Sequence, residues 1–344
     1  MIFNRFTVLT ALSLLGAVSA SANLTCPGLS PVPFSTIETK IDLGMGKVIE
    51  AKDIDCKKVA IGADVVSGIQ KMVSGELPAP KSITFRMVDS FDNAFFAPED
   101  ASLNVPYQIV LDTYTKNPVY SPAIWAHEFG HAILDATLAQ LSASAKWRAL
   151  IKRNLTDSAV EPGEAVQILL APYHEFFADV IAVLYTGNPR AVSDGLYMTG
   201  FMANPEGSPT ACPNKSDPKC RPRNSQMDVH LLATSRDFSD RHNQLGAWKG
   251  VDPRDDHNLL APARYHIYKY YLSNALIKNQ RGRLAGATVD AILTDLNERF
   301  MRVQKLPGGF TTKNLSREMG DVQRINSEFL DVIDQTMKKT FKEL

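Results

Sequence analysis

His127, Glu128 and His131 form a His-Glu-x-x-His pattern within a largely apolar segment. Residues four apart lie on the same face of an α-helix, so the two imidazoles can bind one metal ion. Glu128 can then lie beside a water molecule that the metal polarises. Because zinc lowers the pKa of such a water towards about 7, a neighbouring carboxylate can take its proton as the water attacks a carbonyl carbon. The pattern predicts a zinc-binding group with the chemistry of hydrolysis.

The alternative for this segment is a helix whose two histidines are satisfied by ordinary neighbours, because a short pattern can arise by chance. Its context favours the metal. Ser121-Pro122 is typical of a helix start, with a capping hydroxyl followed by a proline in the first turn. Apolar residues predict a buried helix that runs to about Leu141; they are Ala123, Ile124, Ala126, Ile133 and Leu134.

A catalytic zinc ion needs a third protein ligand and an open fourth position. Glu175 is the best candidate, because it lies with Asp179 in an apolar segment where a charge is costly unless it is paired or bound to metal. At this spacing Glu175 can bind the metal while Asp179 accepts a hydrogen bond from a ligand histidine. His174 is a competing ligand, although a helix turns it about 100° away from Glu175. A partly exposed acidic stripe is the remaining alternative.

The sequence HEFGH, followed on a later predicted helix by Glu175 and Asp179, resembles the thermolysin-like glutamate-zincins. Asn93 and Ala94, followed by a phenylalanine, are similar to the edge strand on which these enzymes bind the substrate backbone. The resemblance implies a zincin-like metallopeptidase with zinc as its cofactor and a peptide or protein as its substrate. Glu128 would be the general base, and His127, His131 and Glu175 the ligands.

Two later segments extend the resemblance in the order that the family has. The segment RDFSD, which begins at Arg236, is similar to an Arg-x-x-Ser-Asp segment whose arginine binds the substrate. Asp252 and His257 resemble the aspartate and histidine that stabilise the tetrahedral intermediate, with Asp252 holding the ring of the catalytic His257. Simpler roles are open to each: a hairpin turn at Asn93, a solvated surface arginine at 236, and helix capping near His257.

The chain also departs from the family. His131 and Glu175 are 44 positions apart, which implies an insertion around residues 145–163, and His174 stands where the family has an asparagine. Those differences favour a distant relationship. Two other functions stay open: a catalytically inactive secreted binding protein on the same scaffold, and a zinc hydrolase that acts on a non-peptide amide or ester.

Residues 1–22 have the form of a signal peptide, with Arg5 before an apolar run at 6–18 and small residues at 20–22. A buried N-terminal helix is the alternative. No later apolar run reaches about 18 residues, so we expect a secreted or periplasmic protein without a membrane span in its mature form. Export favours disulfides, although four cysteines permit three pairings. The local pairings Cys26–Cys56 and Cys212–Cys220 are preferred, because Cys212 and Cys220 flank one short loop and the other two are the remaining neighbours. A zinc cluster is the alternative, but no CxxC spacing supports it.

The chain has 37 basic and 37 acidic residues among 344, so no charge surplus points to a nucleic-acid partner. The oligomeric state stays open.

Strands are predicted at 82–89, 93–96 and 107–112, and helices at 61–73, 172–185, 259–278, 289–305 and 325–342. We therefore expect an α+β protein: an N-terminal segment at 23–80, a lobe at 81–185 with a small mixed sheet and the zinc-binding helices, and a mainly helical C-terminal lobe at 186–344.

Overall fold

The computed structural model describes residues 34–38, 41–42, 48–49, 56–80, 83–88, 94–98, 101–106, 121–140, 161–198, 234–248, 256–277, 279–309 and 311–341. The predicted signal peptide and the predicted strand at 107–112 lie outside these residues. So do the predicted site residues Asn93 and Asp252 and three of the four cysteines. The fourth, Cys56, begins a helix, but its side chain is not among the described ones. Both disulfide pairings therefore stay predictions.

The strands form a small mixed sheet near the N-terminal part of the chain. Strand β4 (Ile83–Val88) pairs in parallel with β6 (Ser102–Pro106), which pairs antiparallel with the edge strand β5 (Phe95–Ala97). Strand β1 (Phe34–Glu38) adds in parallel to the other side of β4, and β2 (Ile41–Asp42) with β3 (Val48–Ile49) forms a separate pair.

The rest of the described chain is mostly helical, which confirms the α+β prediction. Its helices are α1 (Cys56–Val73), α2 (Pro122–Gln140), α3 (Glu161–Thr186), α4 (Ala191–Met198), α5 (Ala261–Ile267), α6 (Ser273–Ile277), α7 (Arg281–Gln304), α8 (Thr312–Glu318) and α9 (Val322–Thr340). A 3-10 turn occupies Arg241–Asn243, and a π-helical turn at Tyr268–Leu272 joins α5 to α6. Within the described ranges, no helix combines the length and apolarity needed to cross a membrane.

Helix α3 begins earlier than its sequence predicts. The prediction placed the start at about Pro172. Proline is common in the first turn of a helix and unfavourable inside one. The structure instead has Pro172 inside a helix that begins at Glu161. Pro172 is buried, so its ring adds apolar contact that offsets the missing hydrogen bond. The helix ends as predicted at Gly187, which has a positive φ of 70°.

One apolar core joins the sheet to the helices. Phe85 of β4 meets Trp125 of α2 edge to face, with ring centroids 5.1 Å apart. Phe176 of α3 meets Phe329 of α9 in the same way at 5.4 Å. Buried apolar residues from α1, the sheet, α2, α3, α7 and α9 form a single cluster. The sheet and the C-terminal helices are thus packed on one core, while the lobe boundary at residue 185 stays a prediction.

Helices α2 and α3 approach each other closely at one glycine. A Cβ placed on Gly130 would lie 2.7 Å from the Cα of Ala178, which is closer than such atoms normally come. A residue with a side chain at this position would push the two backbones apart. The glycine within the HEFGH sequence therefore brings the face of α2 that carries the histidines against the face of α3 that carries Glu175 and Asp179.

Candidate metal centre

Helix α2 brings His127, Glu128 and His131 together as a group that could hold a metal ion. One ligand atom of each residue lies within 4.8 Å of the ligand atoms of the others. The Nε2 atoms of the two histidines are 3.1 Å apart. His127 and Glu128 are buried and His131 is partly exposed. The four-residue spacing therefore does what the sequence predicts: it turns both imidazoles towards one point.

Helix α3 adds Glu175 to the same point. Its Oε2 lies 3.4 Å from His127 Nε2, and its Oε1 lies 3.6 Å from His131 Nε2. Ligand atoms bound to one tetrahedral zinc ion at its usual bond lengths are about 3.3–3.6 Å apart. The two Nε2 atoms are 3.1 Å apart, and their separations of 3.4 and 3.6 Å from Glu175 involve its two different carboxylate oxygens; all three values are close to that range. Two imidazoles and a carboxylate are also a donor set that zinc prefers. The residues fit a zinc ion.

Asp179 lies one turn beyond Glu175 and contacts the other side of His127. Its Oδ1 is 2.9 Å from His127 Nδ1. This contact fixes the ring, as is usual for a histidine that binds a metal. Nε2 then lies 3.4 Å from Glu175 Oε2 and 3.1 Å from Arg236 Nη2. Two buried arginines hold Asp179: Arg236 Nη2 is 2.6 Å from Oδ1, and Arg264 Nε is 2.7 Å from Oδ2. Burial raises the pKa of Asp179, but the two arginines outweigh it and hold the pKa well below its usual range.

The titrating groups near the centre are strongly shifted. Burial raises the pKa of the Glu128 carboxyl to about 7, which suits a group that exchanges a proton near neutral pH. Burial lowers the pKa of His131 well below its ordinary value, so its ring is neutral. Burial and Arg236 lower the pKa of His127, but hydrogen bonds with Asp179 and Glu175 outweigh both effects. The net result is a pKa raised to about 9. A metal bound at His127 would therefore displace a proton.

His257 lies in the turn before α5, and its ring faces the centre. Its Nε2 is 3.6 Å from Glu175 Oε1. Its Nδ1 is 3.0 Å from Asp256 Oδ1. Asp252, the predicted partner of this ring, lies outside the described residues. Asp256 is a carboxylate partner that the sequence did not single out, although it directly precedes the histidine.

The predicted substrate residues occupy different surroundings. Ala94 is buried and leads into β5, the edge strand of the sheet. Phe95 follows it with 46% of its surface exposed. Arg236 is buried, which excludes a solvated surface arginine; its Nη2 also lies 3.4 Å from Glu175 Oε2.

His174, the competing ligand, stacks on His131 with ring centroids 5.9 Å apart, and burial lowers its pKa to about 4.

Arg264 is a second residue near the centre that sequence reasoning did not single out. It is fully buried on α5 and bonds to Asp179, which is itself fully buried. A clue was present in the sequence, because Arg264 follows the apolar run Leu259–Ala263 at a predicted helix start. The argument that singled out Glu175 and Asp179, a charge in an apolar segment, applies equally to this residue.

Comparison of the chain with models of known protein families, with curated protein sequences and with solved structures found no match. The geometry of the centre therefore has to carry the functional argument alone.

Proposed function

We propose that this protein is an exported zinc-dependent peptidase in which His127, His131 and Glu175 bind the metal. The observation that carries the proposal is the grouping of two imidazole Nε2 atoms from α2 with the two carboxylate oxygens of Glu175 from α3 around one point. Glu128 lies in the same group but takes the general-base role, because its raised pKa suits proton exchange. A zincin-like arrangement, with the metal helices beside a small mixed sheet, follows from this assignment.

A zinc ion bound there would supply Lewis acidity and lower the pKa of water to about 7. Glu128 takes the proton of the attacking water and later delivers it to the leaving amine. His257 faces the centre and, held by Asp256, can donate a hydrogen bond from Nε2 to the oxyanion that develops on the attacked carbonyl. Asp179 and the two arginines keep the His127 ring oriented.

The substrate in this proposal is a peptide that extends along β5. An exposed edge strand can bind an extended backbone by adding a strand to the sheet, with Phe95 as an exposed apolar contact. Export is proposed from the N-terminal residues 1–22, which have the composition of a signal peptide. A location outside the cytoplasm would expose the enzyme to extracellular or periplasmic proteins.

The test combines metal analysis with cleavage of a peptide library by wild type and Glu128→Gln. We expect one zinc per chain in both proteins and a turnover about 100- to 10,000-fold lower in the variant, as is usual when a general base is lost. Glu318→Gln is the matched control: it changes another buried glutamate, far along the chain in α8, and should leave turnover of the folded protein unchanged.

Three results would contradict the proposal. A wild-type protein that contains no zinc would contradict the proposed metal centre. Zinc without turnover on any substrate indicates a binding protein on a hydrolase scaffold. If the protein cleaves esters or small amides but no peptide in the library, the proposed hydrolytic chemistry stands and the proposed peptide substrate is contradicted.

A further inference from the structure

Arg264 has an unusual position for an arginine. Its side chain is fully buried, and its Nε donates to Asp179 Oδ2 at 2.7 Å. Over the part of the chain that the structure describes, its Nη1 and Nη2 atoms are buried without a hydrogen-bond partner. Burying a cation with unmet donors is costly, and an apolar side chain of similar volume is often at least as stabilising. Packing alone is therefore a weak explanation for an arginine here.

The two carboxylate oxygens of Asp179 share Arg236 but differ in their other partners. Oδ1 lies 2.9 Å from His127 Nδ1 and accepts from Arg236 Nη2 at 2.6 Å and from Arg236 Nε at 3.1 Å. Oδ2 accepts from Arg264 Nε at 2.7 Å and from Arg236 Nε at a longer 3.2 Å. Arg264 contacts only Oδ2, at the shortest distance of any donor to that oxygen, so together with Arg236 it opposes rotation of the carboxylate about its Cβ–Cγ bond. That rotation would take Oδ1 away from the His127 ring.

Arg264 also belongs to the element that carries His257. The turn at residues 256–260 leads directly into α5, and Ser235, beside Arg236, donates a hydrogen bond to Asn258 in this turn. Asn326 of α9 donates to the Leu259 carbonyl at 2.9 Å. The bond from Arg264 to Asp179 therefore connects the His257 turn with α3, the helix that carries Glu175.

We propose that Arg264 is a positioning residue of the metal centre, holding Asp179 so that the Nε2 of His127 stays directed at the metal. The inference rests on the proposed metal site and assigns a role to a residue that contacts neither metal nor substrate. It predicts that loss of Arg264 weakens metal binding even in protein that is fully folded.

Arg299 provides a matched control. It is also a fully buried arginine, and it bonds to Asp295, a fully buried aspartate of the same helix. Its donors are all engaged, with Tyr173, Asp295, Glu318 and the Ile325 carbonyl among its partners. Arg299→Met removes a buried cation as Arg264→Met does, but none of these partners of Arg299 is a proposed metal ligand.

The experiment measures zinc dissociation constants by chelator competition, together with the visible spectrum of the cobalt(II)-substituted protein, for wild type, Arg264→Met, Arg264→Lys and Arg299→Met. Residues that orient metal ligands typically change affinity about 10- to 100-fold when they are lost. We expect that loss and an altered cobalt spectrum in Arg264→Met. Arg264→Lys, which keeps the charge and one donor group, should lose less. Arg299→Met should unfold at a lower temperature and keep the wild-type dissociation constant.

Wild-type zinc affinity in Arg264→Met would overturn the inference, as would an equal loss of affinity in Arg299→Met. If Arg264→Met does not fold, Arg264→Lys decides between the same two outcomes. Failure of the proposed function would look different. A wild type that binds zinc tightly but cleaves no peptide would contradict the peptidase function, while the effect of Arg264 on zinc affinity could still be measured. A wild type that binds no metal overturns both.

Discussion

Helix α3 contributes to two buried ionic clusters that use the same kinds of residue in different ways. Tyr173, near its middle, belongs to the Arg299 cluster, which we define as Tyr173, Asp295, Arg299 and Glu318. The Arg299 guanidinium donates to Tyr173 Oη at 2.9 Å, to both oxygens of Asp295 and to Glu318. Tyr173 in turn donates to Asp295. Each charged group in this cluster has an opposite charge or a hydrogen bond beside it.

The metal-site cluster, which we define as His127, His131, Glu175, Asp179 and the two arginines at 236 and 264, is different. It brings two imidazole nitrogens to 3.1 Å from each other and leaves both Nη groups of Arg264 buried without a partner within the described structure. A network that satisfies itself stabilises the fold, whereas one that leaves groups unmet is arranged for something else. The first cluster is arranged as an anchor for α3, whereas the second brings together side chains that could hold a metal ion.

Arg299→Met tests the stabilising half of this comparison and should have the largest effect on folding. Removing one partner of a buried ion pair typically costs about 3–5 kcal/mol, because the other charge is left uncompensated. Asp295 would be that charge, since Arg299 is the cation bonded to it. Chemical denaturation gives the free energy of unfolding. A loss below about 1 kcal/mol, as for an exposed pair, would show that the cluster is not an anchor.

His257→Ala tests the catalytic half. Loss of one hydrogen bond to a developing oxyanion usually costs about 2.7–4 kcal/mol of transition-state stabilisation, or roughly 100- to 1,000-fold in kcat. We expect that loss of kcat with unchanged zinc content, because His257 acts in the transition state. If His257 merely begins a helix, kcat will be near normal and stability will fall by at most about 1 kcal/mol.

Gly130→Ala tests whether the close approach of α2 and α3 is needed for the metal site. The new Cβ would meet the backbone of Ala178 at 2.7 Å, so the helices must separate. Overpacking of this kind costs about 1–3 kcal/mol, and zinc affinity should fall with it.

Gly286→Ala is the control for this substitution. It places a Cβ in a helix with its nearest neighbours at 3.5 Å, an ordinary contact. Alanine favours a helix over glycine by up to about 1 kcal/mol, so this variant should be as stable as wild type or more stable. Equal behaviour of the two variants would contradict the role given to Gly130.

Glu318→Gln should have the smallest effect, and it depends on pH. Burial raises the pKa of Glu318, but Arg302 and Arg324 outweigh it and lower the pKa below its ordinary 4.5. The carboxylate therefore contributes stability above pH 4.5, and this contribution is lost as the pH falls through the lowered pKa. We expect the free energy of unfolding of wild type to exceed that of the variant by about 1 kcal/mol at pH 7. In acid, where the carboxyl is protonated, this difference should vanish. A difference that stays constant with pH would exclude the ion pairs as its source.

Much of the centre could be predicted from the sequence because local periodicity determines it. The spacing of His127 and His131 determines their shared face, and an apolar context made Glu175 and Asp179 conspicuous. The other contacts of the centre left no such pattern. Arg264 approaches Asp179 only because α5 packs on α3, and the pairing of His257 with Asp256 depends on the geometry of one turn.

The same reasoning explains the outcomes for the fold. Long helices with apolar faces were predicted, whereas the short helices α4 and α8 were missed, since seven or eight residues carry little periodicity. The early start of α3 was missed because a proline within a helix is indistinguishable from one that begins it until its neighbours are known. Strand β6 at residues 102–106 was also missed, because only two of its five residues are apolar and it ends in a proline.

The most direct test of the central claim is the zinc stoichiometry of wild type and Glu175→Ala, measured on folded protein after exhaustive dialysis. The account predicts one zinc per chain in wild type and little or none in the variant, because two imidazoles alone hold zinc weakly. Full zinc retention in Glu175→Ala would contradict it: the third ligand would then be another residue, with Glu128 and His174 next to be tested.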